Sequence, residues 1–418
     1  MPAPPTPAEQ CISVPNMPNG QKALPLWPDR DPNLHRVGIY EFEIEATKLK
    51  KILCDAALPR REAPSVIIEV SSSALKIISQ TKDASFVISP SVPLWQGATI
   101  GSAPIRFEVE RELMMNIGRN FKYQLAFTFD MNEASLSWIE KGGSGSYSIE
   151  ARWLPPQEPD ADLRSLAELG PEMFESGIEY VSTLSGRKSP PDFPYEGVRI
   201  EGGSILGGYF TGYSRYRCPF MPEDLAFNVP RNHIANAQAL FRRMAGTVTI
   251  LESASRIHAR ACNIEGSWIR MDTRCKVPDH LFELPPLQTV RVATTLLQQE
   301  TYFMEGVLQE RALRTERVEP LVLLVAIENR GDYGRVVLSA SSKVGMGTTR
   351  ILGGMVVSSG LDKRERWDLT INARDLRDTA LATKSIYTIL GVTDRGLLIQ
   401  SDESTDEFKT VLLGSERQ

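Results

Sequence analysis

Two glycine-rich stretches, GGSGS at 142–146 and GGSILGG at 202–208, are the first places to look for a phosphate cradle. Such a cradle needs a lysine to neutralise the phosphate and a helix opening directly behind the loop, so that amides and dipole both face the anion. Neither stretch supplies the lysine of GxxxxGK[ST] or opens a helix. Turns between strands account for both. His35, His233, His258 and His280 are scattered, with no Cys or Asp at the spacing that builds a zinc site or orients a general base. Cys11, Cys54, Cys218, Cys262 and Cys275 contain no CxxC pair, and no GxSxG or HExxH string occurs. The expectation is a protein that is not an enzyme and holds neither metal nor cofactor.

The bulk composition narrows the class further. A chain of 418 residues exceeds what one core normally serves and predicts about three domains. Hydrophobic residues at 42% and charged ones at 24% exclude disorder throughout, collagen-like and coiled-coil compositions. The sequence has no run of about 18 apolar residues, and its start, MPAPPTPAEQ, lacks the basic and apolar regions of a signal peptide. A cytoplasmic protein with no membrane partner is expected. Net charge is −5, from 47 basic and 52 acidic residues, so any nucleic-acid site must be a local one. Residues 1–36 are rich in prolines and short polar turns, without periodicity, and are expected to be a disordered tail in which Trp27 is the one candidate docking residue.

From Val37 onward a pattern repeats. An alternating strand runs straight into a helix at YEFEIEATKLKKIL, IRFEVERELMMNI, LAFNVPRNHIANAQALF, TVRVATTLLQQETYF and WDLTINARDLRDTALA. The core trios are Phe42, Ile44 and Leu49; Phe107, Val109 and Met114; Phe227, Val229 and Ile234; Val290, Val292 and Leu297; Leu369, Ile371 and Leu376. Period 2 puts the two strand residues on one face, and the third returns to the same core from the helix. Three short strand-like segments follow each helix, so the unit is β-α-β-β-β. The gap between Phe107 and Phe227 is nearly twice that between Phe42 and Phe107, leaving room for a sixth copy at PEMFESGIEYVSTL whose leading strand is not recognisable. Units of this kind pair into antiparallel sheets with helices on one face, giving an α+β fold. The expected division is a tail at 1–36 and three domains at 37–153, 154–284 and 285–418, joined through LPPQEPDAD and ELPPLQ.

Six β-α-β-β-β units in three domains resemble the bacterial DNA sliding clamp, the β subunit of DNA polymerase III, over about Val37 to Leu413. FNVPRNHIANAQALFRRM looks like that family's strand-Val-Pro-Arg-helix, YEGVRIEGGSILGGYFTGYSRYRCP like its strands around a Thr-Asp-Gly-His-Arg-Leu turn, and CKVPDHLFELPP like its Phe-Pro-Asp segment. The resemblance implies a DNA-clamp fold, a head-to-tail homodimer closed into a ring with sheets outside and helices inside, double-stranded DNA through the hole, a clamp loader, and partners that carry a clamp-binding motif, DNA polymerase among them. Among the basic residues of the helices that would face DNA, Lys48, Lys51, Arg119, Arg242, Arg374 and Arg377 are the candidate DNA contacts; Arg60, Arg231 and Arg243 match basic positions of the family. The segment 230–244 is the most basic, while acidic and basic residues balance over the six helices together. The Tyr-Tyr pair that the family offers to DNA falls on Phe193 and Pro194.

The resemblance also implies a partner-peptide pocket. Its matching positions are Thr211, Gly212, Tyr213, Arg215 and Tyr216 on one wall, Pro278 below, and Thr410 and Leu412 from the last strand, with a one-residue slip left open between Gly212 and Tyr213 for the Asp of the turn. The family's Met-Pro-Met-Arg ending is replaced by LLGSERQ. Because the helix charges balance, a second class stands beside the first: a clamp-fold interaction platform that binds proteins without encircling DNA.

Overall fold

The computed structural model describes residues 40–55, 63–71, 74–90, 94–96, 105–122, 124–129, 134–140, 143–155, 162–185, 197–218, 220–270, 277–315, 322–330, 333–341, 347–359, 366–402 and 408–416. The tail with Trp27, Arg60, and the pair Phe193 and Pro194 lie outside these residues. The chain divides into two compact units, Met1–Ser165 with Arg243–Trp268, and Leu166–Arg242 with Ile269–Gln418. No helix among the described residues is long and apolar enough to cross a membrane.

In the first unit, strand Tyr40–Glu45 leads into helix α1, Ala46–Asp55, and strand Ile105–Glu110 into helix α2, Arg111–Asn120. One sheet runs Leu94–Gln96, Tyr40–Glu45, Gln124–Phe129, Ala134–Glu140, Gly143–Ile149. A second, nine-stranded sheet runs Ala151–Leu154, Ile105–Glu110, Ser65–Val70, Leu75–Gln80, Ala84–Ile88, Ile264–Ile269, Arg256–Ala261, Val248–Glu252, Arg164–Leu169. Period 2 sends Val66, Ile68, Leu75 and Ile77 toward the helices, where they meet Ile44, Leu49, Leu53, Phe107, Val109 and Met114 in one buried cluster. Each such side chain stabilises the fold by about 1.5–3 kcal/mol. The two helices lie against each other; a Cβ on Gly118 would stand 3.0 Å from the Lys50 Cβ and backbone nitrogen, so any other residue would push α1 back by a few tenths of an ångström at that crossing. Buried Arg111 donates from Nη2 to the Leu53 carbonyl at 3.0 Å, satisfying one of the carbonyls that the end of α1 leaves open.

The second unit contains α3, Pro171–Ser185; α4, Ile234–Phe241; α5, Thr294–Thr315; and α6, Ala373–Ala382. Its strands join one thirteen-stranded sheet. The sheet is continuous through Ser204–Tyr209, Gly212–Arg217, Phe408–Leu413, Gly396–Ser401, Tyr387–Thr393 and Gln288–Ala293. Asn372 caps α6, its side-chain oxygen accepting from the Arg374 and Asp375 amides at 3.0 and 3.2 Å. The predicted trios at Phe107, Phe227, Val290 and Leu369 are buried in full, as are Ile44 and Leu49 of the first; the Phe42 side chain lies outside the description. The leading strand that the sequence did not reveal before α3 is Arg164–Leu169, separated from the helix by Gly170 alone. The mixed α+β architecture, dominated by antiparallel sheet with few helices, is the one expected.

Candidate functional site

Of the positions expected to line a partner pocket, Gly212, Tyr213, Arg215 and Tyr216 lie on the hairpin Ser204–Tyr209 and Gly212–Arg217, whose second strand pairs with Phe408–Leu413 in the register Tyr213 with Val411, Ser214 with Thr410 and Arg215 with Lys409. Gly212 is required by closeness: a Cβ there would meet the Val411 carbonyl oxygen at 2.8 Å. Alternation then splits the predicted residues between two faces of the sheet. Tyr213 and Arg215 share one face. Tyr213 packs with Leu206, Val277, Leu281, Phe282, Leu398 and Val411, while Leu284 and Leu413 border the cluster. Pro278 opens the short helical turn Asp279–Glu283 that carries Phe282 onto this cluster, and its carbonyl accepts from the Leu281 amide at 3.0 Å. The Arg215 guanidinium lies 5.0 Å from the Phe282 ring centroid and donates to Glu283 at 2.7 Å. That bond holds the Glu283 carboxyl below its ordinary pKa.

Tyr216, Thr410 and Leu412 do not join that wall. Tyr216 stacks obliquely on Phe408 at 5.0 Å; Thr410 hydroxyl lies 2.8 Å from the Tyr180 hydroxyl of α3 and 2.9 Å from Ser214; Leu412 belongs to the core with Val290, Leu297 and Leu376. Burial raises the Tyr180 hydroxyl pKa despite the bond to Thr410. These three side chains cement sheet to helices. Thr211, at the hairpin turn, donates its hydroxyl to Asp375 near the start of α6. The side chains that share the Tyr213 cluster and that the sequence reading did not name include Leu206, Phe282, Leu398 and Val411; the signal for Val411 was its place one residue from Thr410, where parity decides the face.

The basic residues present a mixed picture. Lys48 and Lys51 on α1 are exposed, and Lys50 with them. Arg119, in the last turn of α2, is exposed and lies 3.5 Å from Glu112. Arg231 is half-buried in the turn Arg231–His233 before α4, and Arg243 is half-buried beyond its end. Arg242 donates from Nε to Glu175 at 2.8 Å, and that bond together with the carboxylate charge raises the guanidinium pKa. Arg374 lies 3.8 Å from Asp378 one turn on. Arg377 is held by both Glu305 and Asp378. Burial opposes its charge, but the bonds and charges of Asp378 and Glu305 outweigh burial and raise its pKa. A cation already paired attracts a phosphate less, so the exposed Lys50 and Lys51 of α1, which meet no carboxylate among the described residues, offer charge that Arg242 does not. Among the described residues no group of three or more His, Cys, Asp or Glu is placed to hold a metal.

No protein-family model matches the chain, and no curated protein matches it in sequence. Solved structures do match. The β sliding clamp of C. crescentus is similar over 90% of this chain and 100% of its own, with 14% identity and a TM-score of 0.69. The β subunit of the Streptococcus pyogenes DNA polymerase matches 90% and 100% of the two chains, with 15% identity and a TM-score of 0.71. DNA polymerase III subunit β of Borrelia burgdorferi matches 90% and 98%, with 11% identity and a TM-score of 0.70. This chain therefore has the fold of the bacterial DNA polymerase III β sliding clamps, carried by a sequence far diverged from theirs.

Proposed function

We propose that the protein is a sliding-clamp processivity factor in the cytoplasm, two copies of which close head to tail around duplex DNA and tether a DNA polymerase or other replication and repair proteins. The observation that carries this reading is the clamp fold over 90% of the chain. In it, the three domains at 37–153, 154–284 and 285–418 turn their helices toward the duplex, and a clamp loader opens the ring. The function is topological and requires no catalysis. Lys48, Lys50 and Lys51 supply phosphate attraction that favours no sequence and so permits sliding. The apolar border at Leu284 and Leu413, beside Tyr213 and the Arg215–Glu283 pair, receives the partner's peptide.

A second reading, a clamp-fold platform that binds proteins without encircling DNA, is favoured by the carboxylates that already engage Arg119, Arg242, Arg374 and Arg377. Loading onto nicked circular DNA followed by linearisation separates the two. A clamp stays on the circle and runs off the cut ends; a protein retained equally on both forms, or on neither, supports the platform.

A further inference from the structure

In the sheet of the first unit that runs from Ser65–Val70 to Arg256–Ala261, α1 and α2 cover one face of the strands Ser65–Val70, Leu75–Gln80 and Ala84–Ile88. The other face of the sheet carries Glu69, Lys76, Ile78, Val87 and, on the following strands, Arg256, His258, Arg260 and Glu265, and there it forms a cleft of about 620 Å³. That volume lies within the range of about 300–1,000 Å³ that small-molecule sites occupy. A solvated sheet face normally leaves its polar side chains in water. Here Glu69, Arg106, His258 and Ser267 are each at most 8% exposed.

The charges along the cleft are fixed by one another. Lys76 and Arg106 approach Glu69 at 2.8 and 3.4 Å, and Arg260 and His258 approach Glu265 at 3.0 and 3.3 Å. Burial acts to raise the Glu265 carboxyl, but the hydrogen bonds from His258 and Arg260 hold it down at about 2. Arg256 differs from its neighbours. Its guanidinium donates to the Ser267 hydroxyl at 3.0 Å and to the Lys82 carbonyl at 3.2 Å, two neutral acceptors, and among the described residues it meets no carboxylate. Two bonds thus orient a full positive charge whose counter-charge the described residues do not provide. A guanidinium held in this way is pre-organised for the bidentate bonds that carboxylates and phosphates accept. Ile78 and Val87, side by side across paired strands, give an apolar floor beside it.

We propose that this cleft binds a small organic anion, whose carboxylate or phosphate group pairs with Arg256 and Arg260 and whose apolar body lies across Ile78 and Val87. The site is independent of DNA and of the partner-peptide face. Isothermal titration of the intact chain tests it, with phenyl phosphate and phenylacetate as the two anionic arms and benzyl alcohol as the neutral control. Saturable binding of at least one anion and none of the alcohol is expected, the stronger arm telling phosphate from carboxylate. Arg256→Gln should weaken that binding at least about tenfold, the worth of a charge-assisted bond. Glu265→Gln should tighten it, because Arg260 is released from its present carboxylate. Arg260→Gln, at a side chain nearly half exposed, gives the same reading as Arg256→Gln should the latter not fold. Absence of saturation by either anion, equal heats from benzyl alcohol, or an unchanged affinity in a folded Arg256→Gln or Arg260→Gln variant overturns the proposal.

Discussion

Helices α1 and α6 occupy the same place in the repeat, each directly behind an alternating strand, and each segment brings three cations. On α1 they are Lys48, Lys50 and Lys51, all exposed. Around α6 they are Arg374, Arg377 and Lys384, and each has a carboxylate: Asp378, the pair Glu305 and Asp378, and Glu179. Counting charges in the sequence treats the two as near equals. Their surroundings differ: Lys50 and Lys51 meet no carboxylate among the described residues, Arg374 and Lys384 form exposed surface pairs, and Arg377 is tied to a buried one.

The difference is sharpest at Arg377. Its partner Glu305 is 2% exposed, so Arg377→Ala would leave a buried carboxylate with, among the described residues, only the Gln309 amide for company. A loss of roughly 3 kcal/mol is expected in urea denaturation, at the lower end of what removing one member of a buried pair costs. A loss below about 0.5 kcal/mol, the size of an ordinary surface substitution, would return Arg377 to the surface class. The opposite outcome is expected on α1. Replacing Lys48, Lys50 and Lys51 together by Ala should flatten the salt dependence of DNA retention by up to about 0.9 unit per lost phosphate contact, with each site changing stability by no more than about 0.5 kcal/mol. An unchanged salt slope would show that α1 does not face DNA. The smallest effect belongs to Arg242, whose charge Glu175 already occupies: Arg242→Ala should alter DNA retention less than the α1 triple variant, and Glu175→Gln should raise retention slightly by releasing the guanidinium. Filter binding over a salt series reads the DNA-retention effects.

Much of this architecture could be read from local pattern, because a buried strand pair followed by a helix residue leaves its mark within eight positions, as at Val290, Val292 and Leu297. The reading failed where the mark is missing. Strand Arg164–Leu169 reads RSLAEL, without a β-branched or aromatic residue, and buries only Ala167 and Leu169. Strand Gly347–Ser359 carries Gly353 and Gly354 in its middle, residues that read locally as a turn. The residues expected to line one pocket wall alternate along a single strand, so Tyr213 and Arg215 fall on one face of it and Tyr216 on the other, a parity that the expected wall did not respect. Ion pairs were beyond reach for a different reason: Arg242 and Glu175, or Arg377 and Glu305, stand far apart along the chain, and no local spacing announces them.

The ladder between Gly212–Arg217 and Phe408–Leu413 has a consequence for how the second unit comes apart. Tyr213 and Val411 share an apolar cluster on one face of it, Tyr180, Thr410 and Ser214 share hydroxyl contacts on the other, and the backbone pairing is continuous between them. Residues from both ends of the unit therefore lose their partners together or not at all. Heating should melt Leu166–Arg242 and Ile269–Gln418 in a single calorimetric transition, and the amides of this ladder should exchange with solvent at the rate of that whole-unit opening rather than by local fraying.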